Sequence, residues 1–154
     1  MPCAGLRAMT DAFELGTMGF CLEKTMQYFV TGATGFIGKR LVKKLLERKG
    51  STVHFLLRKE SEKKVAALRE YWGVSAARAV PVFGDLTTKK LGVSADDIKR
   101  LKGTIDHFYH LAAIYDMSAD AESQIAVNIE GTRHTVEMAK AIDAGHFHHV
   151  SSIA

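Results

Sequence analysis

The feature that most constrains this chain is Thr31-Gly32-Ala33-Thr34-Gly35-Phe36-Ile37-Gly38, a Gly-x-x-Gly-x-x-Gly run set between a short apolar segment and an amphipathic one. Gln27–Thr31 reads as a buried strand. Phe36–Lys49 reads as a helix with Ile37, Leu41, Leu45 and Leu46 on one face, and Gly50 stands where a helix-ending glycine belongs. Glycines at such a joint let the chain turn tightly, let backbone N–H groups approach a ligand with no Cβ between them, and let helix pack close on strand. The helix N-terminus adds partial positive charge, so the joint suits a phosphate.

Strand and helix patterns continue to alternate. Thr52–Leu57 is the second expected strand, Ser61–Trp72 a helix with Ser61 as N-cap, and Arg78–Phe83 the third strand. Ser94–Leu101 is a short helix capped by Ser94, with Asp96 and Asp97 in its first turn where the macrodipole favours acids. Ile105–His110 is the fourth strand, Ala119–Ile142 contains a long helix, and Phe147–Ser151 is the fifth strand. Strands joined through helices give a parallel sheet with helices on both faces, hence a Rossmann-type, doubly wound α/β fold with strand order 3-2-1-4-5.

Residues 26–154 are expected to form one domain, since no repeat or Pro-rich linker divides them and the chain has only two prolines. Residues 1–25 carry Gly5, Gly16 and Gly19 among apolar residues of no sustained period, and lack the charged and apolar regions of a signal peptide. Met26-Gln27-Tyr28-Phe29-Val30-Thr31 is how a protein beginning on its first strand would start, so residues 1–25 are expected to be an upstream or vector-derived extension.

Composition removes several classes of function. The 154 residues are 47% hydrophobic and 25% charged, enough for a core of one globular domain. A net charge of +4 is spread along helical stretches beside Glu and Asp, without the clustered basic face that nucleic-acid binding needs. Cys3 and Cys21 are too few for a disulfide framework, which makes a reducing, cytoplasmic setting the expectation. No apolar run approaches the roughly 18 residues needed to span a bilayer. His107 and His110, three apart in a strand, point to opposite faces, so no metal site is expected of them or of the His146, His148, His149 group.

Two kinds of phosphate site compete for the glycine turn. A Walker A loop needs Gly at position 33 and Ser or Thr at position 40, where this chain has Ala33 and Arg40. A dinucleotide site needs a strand before the turn, a helix after it, and a second strand ending roughly 20 residues on, all of which are here. At the end of that second strand NAD-selective sites place an acid, whereas this chain has Arg58 followed by Lys59. A guanidinium there pairs with a 2′-phosphate through charge-assisted, fork-shaped hydrogen bonds, so NADP is expected over NAD.

Val30-Thr31-Gly32-Ala33-Thr34-Gly35-Phe36-Ile37-Gly38, Gly84-Asp85-Leu86, His110-Leu111-Ala112-Ala113, Asn128 with Gly131-Thr132, and Val150-Ser151-Ser152 resemble, in order and spacing, the extended short-chain dehydrogenase/reductases. The resemblance implies that Gly32, Thr34, Gly35, Phe36, Ile37 and Gly38 surround the pyrophosphate, that Asp85 contacts the adenine amino group, and that Leu86 lies beside the ring. It implies that Leu111, Ala112 and Ala113 approach the cofactor ribose and phosphates, that Asn128 supports the active site, and that Ser152 hydrogen-bonds the reacting oxygen. Tyr115, Asp116 and Met117 would stand at the substrate edge of the cleft.

In that family a Tyr-x-x-x-Lys completes catalysis, the tyrosine moving the proton and the lysine lowering its pKa. Tyr28, Tyr71, Tyr109 and Tyr115 all precede Ser152, and none has Lys four residues on. The chain is therefore expected to be the cofactor portion of a longer enzyme, truncated before its substrate-binding part, inactive by itself and prone to self-association through an open sheet edge at the fifth strand.

Gly84-Asp85-Leu86-Thr87, Leu91-Gly92-Val93-Ser94, Leu101 and Phe147-His148-His149-Val150-Ser151 resemble more narrowly the thioester-reductase branch, which includes fatty acyl-CoA reductases and terminal reductase domains of peptide synthetases. That resemblance implies reduction of an acyl thioester, free or carrier-bound, or another small carbonyl substrate, with NADPH. A nucleotide-sugar epimerase or dehydratase holding NAD, and a non-catalytic NADP-binding sensor, are the alternatives on the same N-terminal half.

Overall fold

A computed structural model describes residues 25–113 and 125–151 of the chain. Strands β1 (Gln27–Thr31), β2 (Thr52–Leu57), β3 (Ala79–Phe83), β4 (His107–His110) and β5 (His146–His149) form one parallel sheet. Their order is β3-β2-β1-β4-β5, the order expected from the alternating pattern. The chain winds outward in one direction through β2 and β3, then returns past β1 to β4 and β5. That reversal opens a crevice at the carboxyl ends of β1 and β4.

Alternation along each strand supplies a core on each face of the sheet. Tyr28, Val30, Val53, Phe55 and Leu57 pack with Val42, Leu45 and Leu46 of helix α1 (Phe36–Glu47) and with Val65, Leu68 and Trp72 of α2 (Lys64–Trp72). Phe29, Leu56, Val82 and Phe108 face the other way, toward Leu101 of α3 (Ala95–Leu101) and Met138 and Ala139 of α4 (Gly131–Ala141). Phe29 and Phe108, partners on β1 and β4, stack with centroids 4.6 Å apart in the middle of that second layer.

Element ends differ from the sequence expectation for identifiable reasons. α1 stops at Glu47, two residues early, because Arg48 is extended and the Ser51 hydroxyl donates to the Leu45 and Arg48 carbonyls at 2.8 Å each. The Arg78 guanidinium adds bonds to the Leu46 and Arg48 carbonyls, so residues distant in sequence satisfy the helix end. Gly50 is left-handed at φ 74°, in the turn beyond the helix. Ile37, expected on the apolar face, is 61% exposed, and Gly38 and Val42 are buried in its place.

Ser61 does not cap α2. It closes a 3-10 turn, Lys59–Ser61, with its N–H on the Arg58 carbonyl at 2.9 Å, and α2 begins at Lys64 with no side-chain cap. Ser94 does cap α3, its hydroxyl accepting from the Asp97 N–H at 3.1 Å. The strands after β2 are shorter than or shifted from their expected limits, β5 by one residue at its start and two at its end.

The long helix expected over Ala119–Ile142 is two kinds of helix within the described residues. Ile125–Glu130 is π-helical and Gly131–Ala141 is α-helical. Near the junction the Thr132 hydroxyl donates to the Asn128 carbonyl at 2.7 Å, a side-chain bond that competes with the backbone ladder. Residues 119–124 lie outside the described residues. Among the described residues no helix is long and apolar enough to cross a membrane, and no group of three or more His, Cys, Asp and Glu side chains is arranged to hold a metal.

Depressed histidines make this fold sensitive to acid, His54 and His110 most of all. Burial, with Arg100 adding and Asp97 opposing, brings His54 down to about 4, and burial, with His149 adding, brings His110 down to about 4. Both are therefore neutral in the folded chain, whereas in the unfolded chain they titrate near 6.5. A depressed histidine costs stability once pH falls below the unfolded value, and the loss continues down to the folded one. The urea midpoint is expected to be flat above about pH 7 and to fall between roughly pH 6.5 and 4, with a shallower fall in His54→Gln. A midpoint unchanged over that window in the parent chain would contradict this assignment.

Candidate functional site

At the carboxyl ends of β1 to β4 the turns enclose a cleft of about 400 Å³. Gly32, Thr34 and Gly35 line it from the turn after β1, Arg58 from the end of β2, Ser61 and Lys64 from the start of the following helical segment, Gly84 to Thr87 from the turn after β3, and Leu111 to Ala113 from that after β4. The volume is in the range of roughly 300–1,000 Å³ typical of small-molecule sites.

The glycines are required by contact as well as conformation. Gly32 is left-handed at φ 75°, and a Cβ there would stand 2.8 Å from the Ala112 nitrogen. A Cβ at Gly38 would stand 2.0 Å from the Gly32 carbonyl oxygen, so α1 reaches β1 only because position 38 has none. The Gly35 N–H donates to the Gly32 carbonyl at 3.0 Å and closes the turn. α1 then begins with no side-chain cap and no acid in its first turn, leaving its positive end unneutralised from within.

Phe36 and Ile37 show their side chains to solvent, 74% and 61% exposed, and are not among the residues lining the cleft. Arg40 lies over the Phe36 ring at 3.7 Å and donates to the Phe36 carbonyl at 3.1 Å. Of the two basic residues after β2, Arg58 lines the cleft. Lys59 turns aside, 2.9 Å from Glu62 and 4.3 Å above the Phe83 ring.

Asp85 Oδ1 accepts the Thr87 hydroxyl at 2.6 Å and the Thr87 N–H at 2.8 Å. The Thr87 hydroxyl foremost, then the Thr87 N–H and the Arg58 guanidinium, hold the Asp85 carboxyl below its usual range against the opposing effect of burial. Asp85 is thus an anchored carboxylate on the cleft wall, within reach of the Arg58 charge.

Behind the wall a chain of hydrogen bonds joins three elements. The Ala112 N–H donates to Thr31 Oγ1 at 3.4 Å, Thr31 Oγ1 lies 2.7 Å from His110 Nδ1, and His110 Nε2 lies 3.1 Å from Thr132 Oγ1. Because the Thr132 hydroxyl gives its proton to the Asn128 carbonyl, His110 must donate from Nε2 and accept at Nδ1 from Thr31. Asn128 therefore joins the cleft from behind, through its carbonyl, and is not among the lining residues.

The sequence-derived candidates Gly32, Thr34, Gly35, Arg58, Asp85, Leu86, Leu111, Ala112 and Ala113 meet around one cleft. Gly38 sits beneath it, and Ser152, Tyr115, Asp116 and Met117 lie outside the described residues. Leu56, Leu57, Ser61, Lys64, Gly84 and Thr87 line the cleft without having been expected there. Thr87 was detectable, since Asp-x-Thr is the pattern of a side-chain-bonded turn. In the sequence Ser61 has the character of a cap and Lys64 that of a solvated helix face.

Such a doubly wound sheet, with a glycine turn at its switch point, defines a Rossmann-type nucleotide-binding domain. Residues 30–154 match the NAD-binding family described as male sterility protein, and the chain belongs to that family. It is similar to a linear gramicidin synthase of Brevibacillus parabrevis, 33% identical over 132 residues, covering 80% of this chain and 3% of the relative. It is also similar to the fatty acyl-CoA reductase wat of Drosophila melanogaster, 26% identical over 128 residues, covering 74% of this chain and 25% of the relative. Among solved structures, the terminal R domain from the myxalamid PKS-NRPS biosynthetic pathway superposes with a TM-score of 0.70 at 30% identity, covering 84% of this chain and 35% of that one. The chain thus spans a quarter or less of these two relatives and about a third of the solved domain.

The close approach at Gly38 is open to direct measurement. Gly38→Ala is expected to destabilise the chain by about 1–3 kcal/mol as α1 is forced off the turn. Gly73→Ala, at a left-handed position with nothing within 4 Å, is expected to cost only the backbone strain of about 1–2 kcal/mol and to leave the cleft intact. Equal near-ultraviolet circular dichroism and equal ligand affinity in the two variants would show that the Gly38 contact does not shape the cleft.

Proposed function

We propose that this chain is the cofactor-binding part of an NADP-dependent reductase acting on acyl thioesters, free or tethered to a carrier. The observation that carries the reading is the meeting, in one cleft, of the glycine turn, the Asp85 carboxylate and Arg58 with Lys64 beside it. Likeness to a fatty acyl-CoA reductase and to the terminal R domain of a PKS-NRPS pathway supports the thioester as substrate class. The epimerase and the silent sensor are less well supported by that set of relatives.

The parts fit a phosphorylated dinucleotide. Backbone N–H groups from Phe36 through Gly38 bind the pyrophosphate at the positive end of α1, whose close approach to β1 depends on the missing Cβ atoms of Gly32 and Gly38. Arg58, with Ser61 and Lys64, takes the 2′-phosphate, and the absence of an acid at the end of β2 removes a repulsive partner. Asp85 accepts from the adenine amino group while Leu86 covers the ring. Leu111, Ala112 and Ala113 allow close approach of the ribose and phosphates. Ser152 hydrogen-bonds the reacting oxygen and Asn128 supports it. The cofactor, when bound, supplies the hydride.

NADPH and NADH titrated calorimetrically into the chain test the assignment. NADPH is expected to bind more tightly, and Arg58→Ala to weaken it about 10- to 100-fold while leaving NADH little changed, as loss of roughly 1.5–3 kcal/mol of charged hydrogen bonding implies. Equal affinities for the two cofactors, unaltered by Arg58→Ala, would overturn the choice of NADP.

The reading includes self-association of the 154-residue chain through β5. Phe147 is 38% and Val150 47% exposed beside this edge of the described sheet, and edge strands recruit partners. Light scattering is expected to give a mass above that of the monomer, rising with concentration. A monomer at high concentration would refute it.

A further inference from the structure

We infer that His134 on α4 is a positioning residue for the adenine end of the cleft, acting through the backbone of Leu86. The inference rests on the dinucleotide reading above. His134 is 7% exposed and is not among the residues lining the cleft, so any effect it has on a ligand is relayed.

Its hydrogen bonds have a defined direction. His134 Nε2 lies 3.2 Å from Arg133 Nη2, and Nδ1 lies 3.0 Å from the Leu86 carbonyl oxygen. A guanidinium only donates, so Nε2 accepts. Nδ1 then carries the hydrogen and donates it to Leu86. Arg133 is itself fixed by Glu130 at 2.6 Å and Glu137 at 2.8 Å, so the imidazole is oriented from its far side by a braced partner.

The turn it grips is held on either side of the Leu86 carbonyl. On one side the Asp85 N–H donates to the Leu91 carbonyl at 2.8 Å, and Leu91 is buried in the core with Met138 of α4. Within the turn Thr88 N–H returns to the Asp85 carbonyl at 3.2 Å, and Thr87 closes on the Asp85 carboxylate. The Leu86 carbonyl projects from the middle of the turn to His134. That bond sets the orientation of the peptide joining Leu86 to Thr87, and with it the presentation of Leu86 and the Asp85 carboxylate to the cleft. The same helix thus meets this turn at Leu91 by packing and at Leu86 by a directed bond.

The test compares the 154-residue chain with His134→Leu, which removes the donor at similar bulk, and His134→Asn, whose amide N–H can replace Nδ1–H. NADPH and 2′,5′-ADP are the probes, and calorimetry and thermal melting the readouts. His134→Leu is expected to weaken both probes by a common factor of roughly 2 to 12, the effect of one net hydrogen bond, and His134→Asn to restore both. Affinity unchanged in His134→Leu, or weakened equally in His134→Asn, overturns the inference while the dinucleotide reading stands. No binding of either probe by the parent chain overturns that reading and the inference with it. Where a variant does not fold, the parent chain alone decides. Imidazole 15N shifts are expected to show the Nδ1–H form of His134, and the Nε2–H form would overturn it.

Discussion

The whole cleft depends on how closely α1 approaches β1. A side chain of any size at Gly38 would collide with the Gly32 carbonyl, and one at Gly32 would collide with the turn after β4. Hydrogen at these two positions lets three pieces of backbone, from the turns after β1 and β4 and from the first turn of a helix, share a space that side chains would otherwise fill. The positive end of α1 is thereby brought over the crevice where the sheet reverses direction. Every other contribution to the cleft is arranged about that point.

Hydrogen bonds then lock the elements behind it. Thr31 on β1, His110 on β4, Thr132 on α4 and the Asn128 carbonyl in the π-helical segment form a directed series with each group in a definite donor or acceptor role. His110 is 1% exposed, and burial keeps it neutral, which is the protonation state the series requires. A polar series so enclosed is favourable only when each member is satisfied, so it also specifies how the helix sits on the sheet. The turn after β4 that carries Ala112 and the helical segment that carries Asn128 are therefore parts of one framework.

Much of this was legible in the sequence. Strand order followed from the alternation of strand and helix, because right-handed crossovers leave few arrangements of five parallel strands. The grouping of Gly32, Arg58, Asp85 and Ala112 followed as well, since each stands at the carboxyl end of a strand and those ends converge. Helix limits were less legible. Ser61 has the composition of a cap but closes a 3-10 turn, and α1 ends early because Ser51 and Arg78, the latter 30 residues beyond Arg48, take its last carbonyls. The π-helical stretch before Gly131 gave no periodic signal that distinguishes it from an α-helix over so few residues.

By itself the sequence determined the doubly wound sheet and the strand ends from which the cleft is built, because local periodicity and glycine placement govern both. Tertiary structure alone decided the roles of individual polar groups. Lys59 stands next to Arg58 and is also a cation, yet only the fold shows it drawn to Glu62 and Phe83 and away from the cleft that Arg58 lines. Nothing in the sequence sets His110 and His134 apart, yet each takes a fixed tautomer because of partners brought from other elements. Patterns of burial are written in short stretches of chain, whereas the direction of a hydrogen bond depends on which distant group arrives opposite it.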